Sequence, residues 1–406
     1  MKRIFLYAMM ATAVLASCSQ SENEGASGTE PVDLTPSADA ILLSAAAPSV
    51  TVNTSTRSAG TIGGNGATIS NTWSGQKLYI YACQKDSKTG ITMSDRIADL
   101  NTYALRGEEG TAETGSKASV KWKNDESRYF PRSGAYDFFG YYGDDAVTGE
   151  AKAEAMNGTN VLYKSFVING SQDLMIAKAA LSDDDKAKLT SEDINKAYSS
   201  YTARRDVQPS MKFEHLLTRL VFNIKGMGSS KPENVYVQSV KVMSKTSGKL
   251  VFVYAADANK GIQWDGNTRS LLSLQERNGN VMQPLTDKTY YASATSAPTP
   301  TPVGEALLVE PGVETYDIEV VVKQEIDESG NAVPEGQQTE TYKLTLKASE
   351  VTKEGASAGI STFAASTSYN VTIAVYGITK IELTAELGEW INGGDININP
   401  DDTFTE

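Results

Sequence analysis

The strongest constraint on the fold is a period-two alternation near the end of the chain. From Tyr369 to Val375 every second residue is apolar, and the alternation resumes from Ile381 to Leu387 after a short turn. Successive side chains of a strand point to opposite faces of a sheet, so this spacing predicts two half-buried strands paired as a β-hairpin. The hairpin predicts that the last domain is built on a sheet.

Similar strand-like runs recur along the chain, without the helices that would connect parallel strands. The clearest are residues 77–83, 235–242, 316–323 and 342–346. Strands of this regularity predict an all-β protein with antiparallel sheets packed as sandwiches. The 406 residues are enough for two domains. With a boundary in the stretch Arg204–Pro209, we predict a first β-sandwich domain at residues 41–207 and a second at 208–406.

Three local features refine this prediction. The valines of residues 235–242 change phase once, which predicts a β-bulge. Between Leu181 and Arg205 residues recur at helical spacing, and Ser182 and Ser191 are suitable N-caps, so a short helical excursion is expected. The segment Phe213–Lys225 fits either a helix or a strand, and its β-branched end favours a strand.

Aromatic residues are densest from Tyr136 to Tyr142. Aromatic side chains at this density either fill a sandwich core or form a platform for sugars, and the core is the favoured interpretation. Cys83 lies in the strand-like run 77–83 and is predicted to be a lone buried thiol.

The N-terminus has the features of an export signal. Lys2 and Arg3 precede an apolar stretch that is too short to span a bilayer, and Leu15-Ala16-Ser17-Cys18 matches a lipobox. Residues 1–17 are therefore predicted to be a lipoprotein signal peptide, with Cys18 acylated and anchored to a membrane. The alternative is an ordinary secretory signal that contains a cysteine. Removal of this peptide changes the net charge from −13 to −15.

Both ends of the mature chain carry segments without a predicted core of their own. Residues 18–40 are small and polar, which predicts a flexible tether. At the other end Gly393-Gly394 interrupt the chain, and Ile396 and Ile398 then alternate with polar residues in a short strand. A strand on such a hinge can pair with its own domain or with another one.

The sequence offers little support for catalysis. His215 is the sole histidine and lies in an apolar segment, where a buried structural histidine is the expected role. No nucleophile elbow, dinucleotide fingerprint or phosphate loop occurs. The run Asp183–Asp185 lacks the spacing of a calcium loop and suits a solvated helix N-terminus. We therefore predict a non-enzyme without a metal or cofactor, and the negative charge argues against nucleic acid as a partner.

The order and spacing of several segments resemble the fimbrillin family of Bacteroidales, whose members are pilus subunits exported as lipoproteins. The resemblance spans nearly the whole chain after the tether. The matching segments are Leu15–Cys18, Thr56-Arg57, Lys121-Trp122 through Tyr129-Phe130-Pro131, Tyr136–Tyr142, Asp173–Met175, Phe213–Leu217, Tyr369–Ile373 and Gly388–Trp390.

This resemblance implies two tandem transthyretin-like β-sandwich domains and assembly by strand exchange. In this family a trypsin-like protease cuts after an arginine, an N-terminal strand is lost, and a strand from a neighbouring subunit takes its place. Arg57 is the implied cleavage site, because it is the sole basic residue between Arg3 and Lys77. Residues 41–52 would be removed, and the tail with Ile396 and Ile398 would be the donor strand.

The resemblance thus predicts a fimbrial subunit at the cell outer membrane, with other fimbrial subunits, the processing protease and the lipid bilayer as partners. Stalk, tip adhesin and anchor remain open as its place in the pilus. The alternative function is a surface lipoprotein that binds glycans or host proteins through aromatics such as Tyr141 or Trp264.

Overall fold

The computed structural model describes residues 39–46, 73–226, 235–278, 281–286, 300–327, 329–352, 359–375 and 381–388. These residues are mostly strands, which confirms the all-β class. The strands are β1 Ser44–Ala46, β2 Lys77–Lys85, β3 Leu105–Ala112, β4 Lys117–Trp122, β5 Ala135–Tyr142, β6 Val147–Met156, β7 Thr159–Val167, β8 Met175–Lys178, β9 Ser210–Lys212, β10 Glu214–His215, β11 Thr218–Gly226, β12 Val235–Ser244, β13 Ser247–Tyr254, β14 Gly261–Trp264, β15 Ser270–Ser273, β16 Gln275–Asn278, β17 Val281–Pro284, β18 Thr301–Val309, β19 Thr315–Gln324, β20 Thr339–Lys347, β21 Thr367–Val375 and β22 Ile381–Gly388.

The helices among the described residues are short. The α-helices are α1 Ser94–Ala98, α2 Asp183–Ala187 and α3 Ser200–Ala203, and single 3-10 turns lie at Leu100–Thr102, Lys123–Asp125, Ile194–Lys196, Asp257–Asn259, Glu335–Gln337 and Ala348–Glu350.

The helical excursion predicted near residues 181–205 corresponds to α2 and α3. Ser182 caps α2 as expected, because its hydroxyl accepts a hydrogen bond from a backbone N–H of the first turn. The second predicted cap was wrong. Ser199, not Ser191, caps α3, since Ser199 has an extended backbone and accepts from the N–H of Thr202.

The largest sheet closes on itself. Its eight strands follow the order β10-β8-β5-β2-β3-β4-β1-β9. Met211 of β9 also forms a bridge with Ala179, which directly follows β8. β9 and β10 are the two ends of this order and follow one another directly in the chain, so the sheet closes into a ring of strands. The interior of this ring is an apolar core that includes Leu78, Ile80, Phe130, Phe138, Met211 and Phe213.

The second half of the chain contains a β-sandwich. One sheet has the order β18-β11-β21-β22, the other has the order β15-β12-β19-β20, and one apolar core lies between them. The hairpin predicted from the alternation is β21–β22, in which Tyr369 pairs with Leu387 and Ile373 with Leu383. Every second side chain of β21, from Tyr369 to Val375, is buried in this core, which confirms the period-two interpretation.

A third four-stranded sheet, in the order β14-β13-β7-β6, takes strands from both sides of position 207. β7 and β13 pair antiparallel, with Tyr163 opposite Val251. This sheet covers the outer face of the ring, where the rings of Tyr81 and Tyr141 each lie 4.8 Å from that of Phe252. The two predicted domains thus share a sheet in the described residues, and the boundary at 207/208 stays a prediction.

The aromatic run 136–142 forms β5, and its role as core is confirmed. Phe138 lies in the core inside the ring, whereas Phe139 and Tyr141 lie in the core shared with β13. A strand covered on both faces shows no polar alternation. That double burial explains why aromatic residues occur on both faces of this strand.

The pairing pattern confirms one local prediction and departs from another. The ladder between β12 and β19 shifts register between Val237 and Ser239, as expected for the predicted bulge. The ambiguous segment 213–225 is strand, in β10 and β11. Two pairs, β1 with β9 and β11 with β21, are parallel, so the sheets are mixed where the sequence predicted antiparallel pairing throughout.

The interior of the described fold contains a buried arginine. Arg219 of β11 is 0% exposed, and its Nη1 donates a hydrogen bond of 2.7 Å to the hydroxyl of Ser368. Burial lowers the pKa of Arg219 to about 10, although Asp173 and Glu305 act in the opposite direction. Both carboxylates are themselves buried. Arg219 therefore supplies positive charge to two buried acids in different parts of the fold.

Cys83 is a free and buried thiol, as predicted. Burial raises the pKa of its thiol to about 12, and the thiolate is the form that alkylating reagents attack. We expect iodoacetamide at pH 8 to leave Cys83 unmodified in the native protein and to label it fully in urea. Peptide mass spectrometry distinguishes Cys83 from Cys18. Rapid labelling of Cys83 without urea would contradict the buried position.

Candidate functional site

The candidate site is the place where the first described residues, 39–46, enter the ring of strands. We call these residues the N-terminal segment. Its strand β1 pairs antiparallel with β4, where Ser44 lies opposite Ser119, and parallel with β9, where Ser44 lies opposite Ser210. The N-terminal segment therefore fills a position between two strands, which we call the β4–β9 slot.

Main-chain hydrogen bonds hold the N-terminal segment on both sides. On one side, the amide of Ile41 donates to the carbonyl of Arg128 at 2.7 Å, and the amides of Val120 and Phe130 donate to the carbonyls of Leu43 and Asp39 at 2.8 and 2.9 Å. On the other side, the amide of Ser44 donates to the carbonyl of Pro209 and the amide of Phe213 to that of Ala46, both at 3.2 Å. Backbone pairing of this kind does not depend on side-chain identity. Other extended segments can therefore form the same bonds in the slot.

Side chains of the N-terminal segment alternate between the core and solvent. Ile41 and Leu43 are 2% and 3% exposed and Ala45 is fully buried, whereas Leu42 is 64% exposed. Burial of an Ile or Leu side chain contributes about 1.5–3 kcal/mol. The inward positions thus supply the apolar part of the binding energy, and they require two large residues followed by a small one.

An ion pair fixes the start of the N-terminal segment. Nε and Nη2 of Arg204 donate to the two carboxylate oxygens of Asp39 at 2.8 and 2.7 Å. Arg204 is positioned by α3, since it is the C-cap residue that directly follows this helix. Both side chains are about one quarter exposed, so this bidentate pair is partly shielded from water.

Two further side chains bind the backbone of the N-terminal segment. The amide group of Gln208 donates to the carbonyl of Ala40 at 3.1 Å, and its oxygen accepts from the N–H of Leu42 at 3.2 Å. The indole Nε1 of Trp122 donates to the carbonyl of Ile41 at 3.2 Å. These contacts satisfy main-chain groups that β4 and β9 do not reach.

A surface depression of about 140 Å³ opens beside the N-terminal segment. Its walls include Leu42, Leu43, Val120, Trp122 and Arg128. The side chains of Tyr129 and Leu42 are both exposed. They lie at the same end of the N-terminal segment, since Tyr129 forms a backbone bridge with Ala40. The rim of the slot is thus partly apolar, a property common at surfaces that contact other proteins.

The site residues predicted from the sequence lie outside the described residues. These are Cys18, Arg57, Ile396 and Ile398. The strand predicted to be removed, residues 41–52, is described as far as residue 46, and Ser44–Ala46 of this part form a strand. The contact between Asp39 and Arg204 could not be predicted from the sequence, because Asp39 lies in the predicted tether and Arg204 at the predicted domain boundary. No local pattern marks two partners so far apart in sequence.

His215 and the acidic residues 183–185 are parts of regular secondary structure. His215 is buried in the short strand β10, with Nδ1 2.6 Å from a carboxylate oxygen of Asp173. The acids of 183–185 form the first turn of α2. In the described part of the chain, no three His, Cys, Asp or Glu side chains are grouped to hold a metal ion.

Among the described helices, none is long and apolar enough to cross a membrane.

Solved structures similar to this chain include a cell adhesion protein and two fimbrial proteins. A candidate cell adhesion protein from Bacteroides uniformis is 14% identical, with 88% of this chain and 100% of that chain covered and a TM-score of 0.44. A fimbrial protein from Bacteroides vulgatus is also 14% identical, with coverages of 77% and 93% and a TM-score of 0.43. A fimbrilin from Porphyromonas gingivalis is 10% identical, with coverages of 87% and 98% and a TM-score of 0.39.

Curated protein sequences give no match. A family model described as fimbrillin-like, in contrast, matches residues 66–390. That range includes the ring of strands except β1, the shared sheet and the sandwich of the second half. The protein belongs to the fimbrillin-like family.

Proposed function

We propose that this protein is a structural subunit of a fimbria that assembles with other fimbrial subunits by strand exchange. Membership of the fimbrillin-like family supports the fimbrial role. The observation that supports strand exchange is the position of the N-terminal segment, which fills the β4–β9 slot through main-chain bonds on both sides.

Loss of the N-terminal segment has a direct physical consequence. β4 and β9 would each present unpaired N–H and C=O groups, and the positions of Ile41 and Leu43 would open the apolar core to water. Unpaired edges and exposed apolar surface both favour the addition of a new strand. A strand from a neighbouring subunit restores the backbone pairing and fills the same positions.

The other steps of the proposed assembly rest on features predicted from the sequence. Cleavage after Arg57 by a trypsin-like protease would separate the N-terminal segment from the body of the subunit. The tail with Ile396 and Ile398 would serve as the donor strand. Acylation of Cys18 would hold the exported precursor at the outer membrane, with the assembled subunit exposed at the cell surface. The role is structural and needs no cofactor.

Polymerisation after limited proteolysis tests this function. Brief trypsin treatment of the full-length protein should convert monomers into multimers that resist SDS and dissociate on heating, because strand pairing buries both backbone and apolar groups. Arg57→Ala and a deletion of residues 395–406 should each remain monomeric under the same treatment. Gel electrophoresis without boiling gives the readout.

Two outcomes would contradict parts of the proposal. Multimers from the tail-deleted protein, with Arg57 cleaved, would exclude the tail as donor strand. A cleaved protein that stays monomeric and binds a glycan column would instead favour the alternative of a surface-binding lipoprotein.

A further inference from the structure

We infer that Arg204 selects which strand enters the β4–β9 slot, by binding an acidic side chain two positions before the first buried apolar residue. The partner is a β-strand of another subunit with the order acidic, apolar, apolar and small at alternate positions. This inference rests on the proposed strand exchange and adds to it a rule for choosing the strand.

The N-terminal segment displays that order. Asp39 binds Arg204 through two hydrogen bonds of 2.8 and 2.7 Å, Ile41 and Leu43 fill the core, and Ala45 occupies a fully buried position. A planar guanidinium matches a carboxylate in both geometry and charge. When the segment leaves, Arg204 loses both of these bonds.

Charged side chains beside Arg204 have partners of their own. Arg205 lies with its guanidinium carbon 3.6 Å from the centre of the Tyr201 ring. Lys188 contacts the carbonyl and the carboxylate of Asp206 at 3.0 and 3.4 Å. The carboxylate that comes from the strand in the slot is therefore distinct from the local pairs of α3 and its flanking residues.

The chain's own tail fits this rule only in part. Ile396 and Ile398 match the two apolar positions, but the residue two places before Ile396 is Gly394. A shift by one residue would bring Asp395 into place and turn both isoleucines away from the core. When a strand enters with the direction and register of the N-terminal segment, the slot therefore favours one that carries the acidic residue over the tail of a second copy.

Peptide exchange in a cleaved full-length protein tests this rule. Residues 54–60 are replaced by the recognition sequence of a site-specific protease, so that cutting does not depend on Arg57. Fluorescent peptides of residues 37–48, with Asp39 or with Asp39→Asn, are then added and binding is measured by anisotropy. The same pair of peptides is applied to the cut Arg204→Gln protein and to the matched control Arg205→Gln. The affinities of the two peptides are compared as a ratio within each protein. An effect of the variant on the release of the original N-terminal segment therefore cancels.

We expect the Asp39→Asn peptide to bind about three- to tenfold more weakly when Arg204 is present, as for a partly shielded bidentate pair. The difference should persist in Arg205→Gln and fall below about twofold in Arg204→Gln. A tail peptide of residues 391–402 should gain affinity when Gly394→Asp is introduced.

The outcomes separate the two proposals. Equal binding of the Asp and Asn peptides to the protein with Arg204 would overturn selection by charge and leave strand exchange intact. Failure of every peptide to enter the cut protein would overturn strand exchange at this slot, and the selection rule with it.

Discussion

Leu43→Asp should detach the N-terminal segment from the β4–β9 slot, whereas Leu42→Asp should leave it in place. Leu43 is 3% exposed in the ring core and Leu42 is 64% exposed on the same strand. A carboxylate without a partner costs several kcal/mol to bury, and the substitution also removes the about 1.5–3 kcal/mol that Leu43 contributes. The two variants carry the same change in charge, one residue apart, so the face of the strand is the variable.

Hydrogen exchange followed by mass spectrometry measures this release. In Leu43→Asp the amides of Val120 and Phe213 should lose protection, because they donate to the carbonyls of Leu43 and Ala46. The open slot should also let the uncut protein form multimers with a second copy. Full protection of the N-terminal segment in Leu43→Asp would show that the slot does not require an apolar residue there.

Arg219→Leu should lower the free energy of unfolding by about 3–5 kcal/mol, since it removes one partner from a buried charged group. Asp173 and Glu305 are 2% and 3% exposed and would lose the nearby guanidinium, and Ser368 would lose a donor at 2.7 Å. Urea denaturation followed by circular dichroism measures the change.

Two variants serve as controls for this buried arginine. Arg219→Lys keeps the positive charge and should fall between the wild type and Arg219→Leu. Arg277→Leu removes a partly exposed arginine whose Nε lies 3.5 Å from Glu305, and it should cost less. Stability of Arg219→Leu within 1 kcal/mol of the wild type would contradict a compensating role for Arg219.

The features that could be predicted from the sequence are those specified by local pattern. The β21–β22 hairpin follows from its alternation and short turn, and the bulge between Val237 and Ser239 follows from a change of phase in the same strand. In the candidate site, the sequence predicts a strand at residues 41–52, but Ile41, Leu42 and Leu43 are all apolar and do not indicate which side chains point inward. Each of these depends on residues close together in the chain.

The features that could not be predicted depend on which distant segments meet. β11 and β21 pair in parallel over nine positions although they lie far apart in the chain. Arg219 alternates with Leu220 as an exposed residue would, and it is buried only because other parts of the fold cover its face. The pair of Asp39 and Arg204 likewise forms only when the ring closes. Local patterns contain no information about such meetings.

Closure of the ring imposes an order on events during synthesis. β1 is made first, yet one of its neighbours, β9, begins only at Ser210. At ~5–20 residues per second, roughly 10–30 s separate the two. Throughout that delay the slot is incomplete and every extended segment nearby can compete for it. Strand β1 has the advantage because covalent linkage makes its insertion an intramolecular event. Insertion of β1 into the slot therefore competes kinetically with insertion of other segments, and the covalent tether favours β1. A cut that removes the tether removes this advantage.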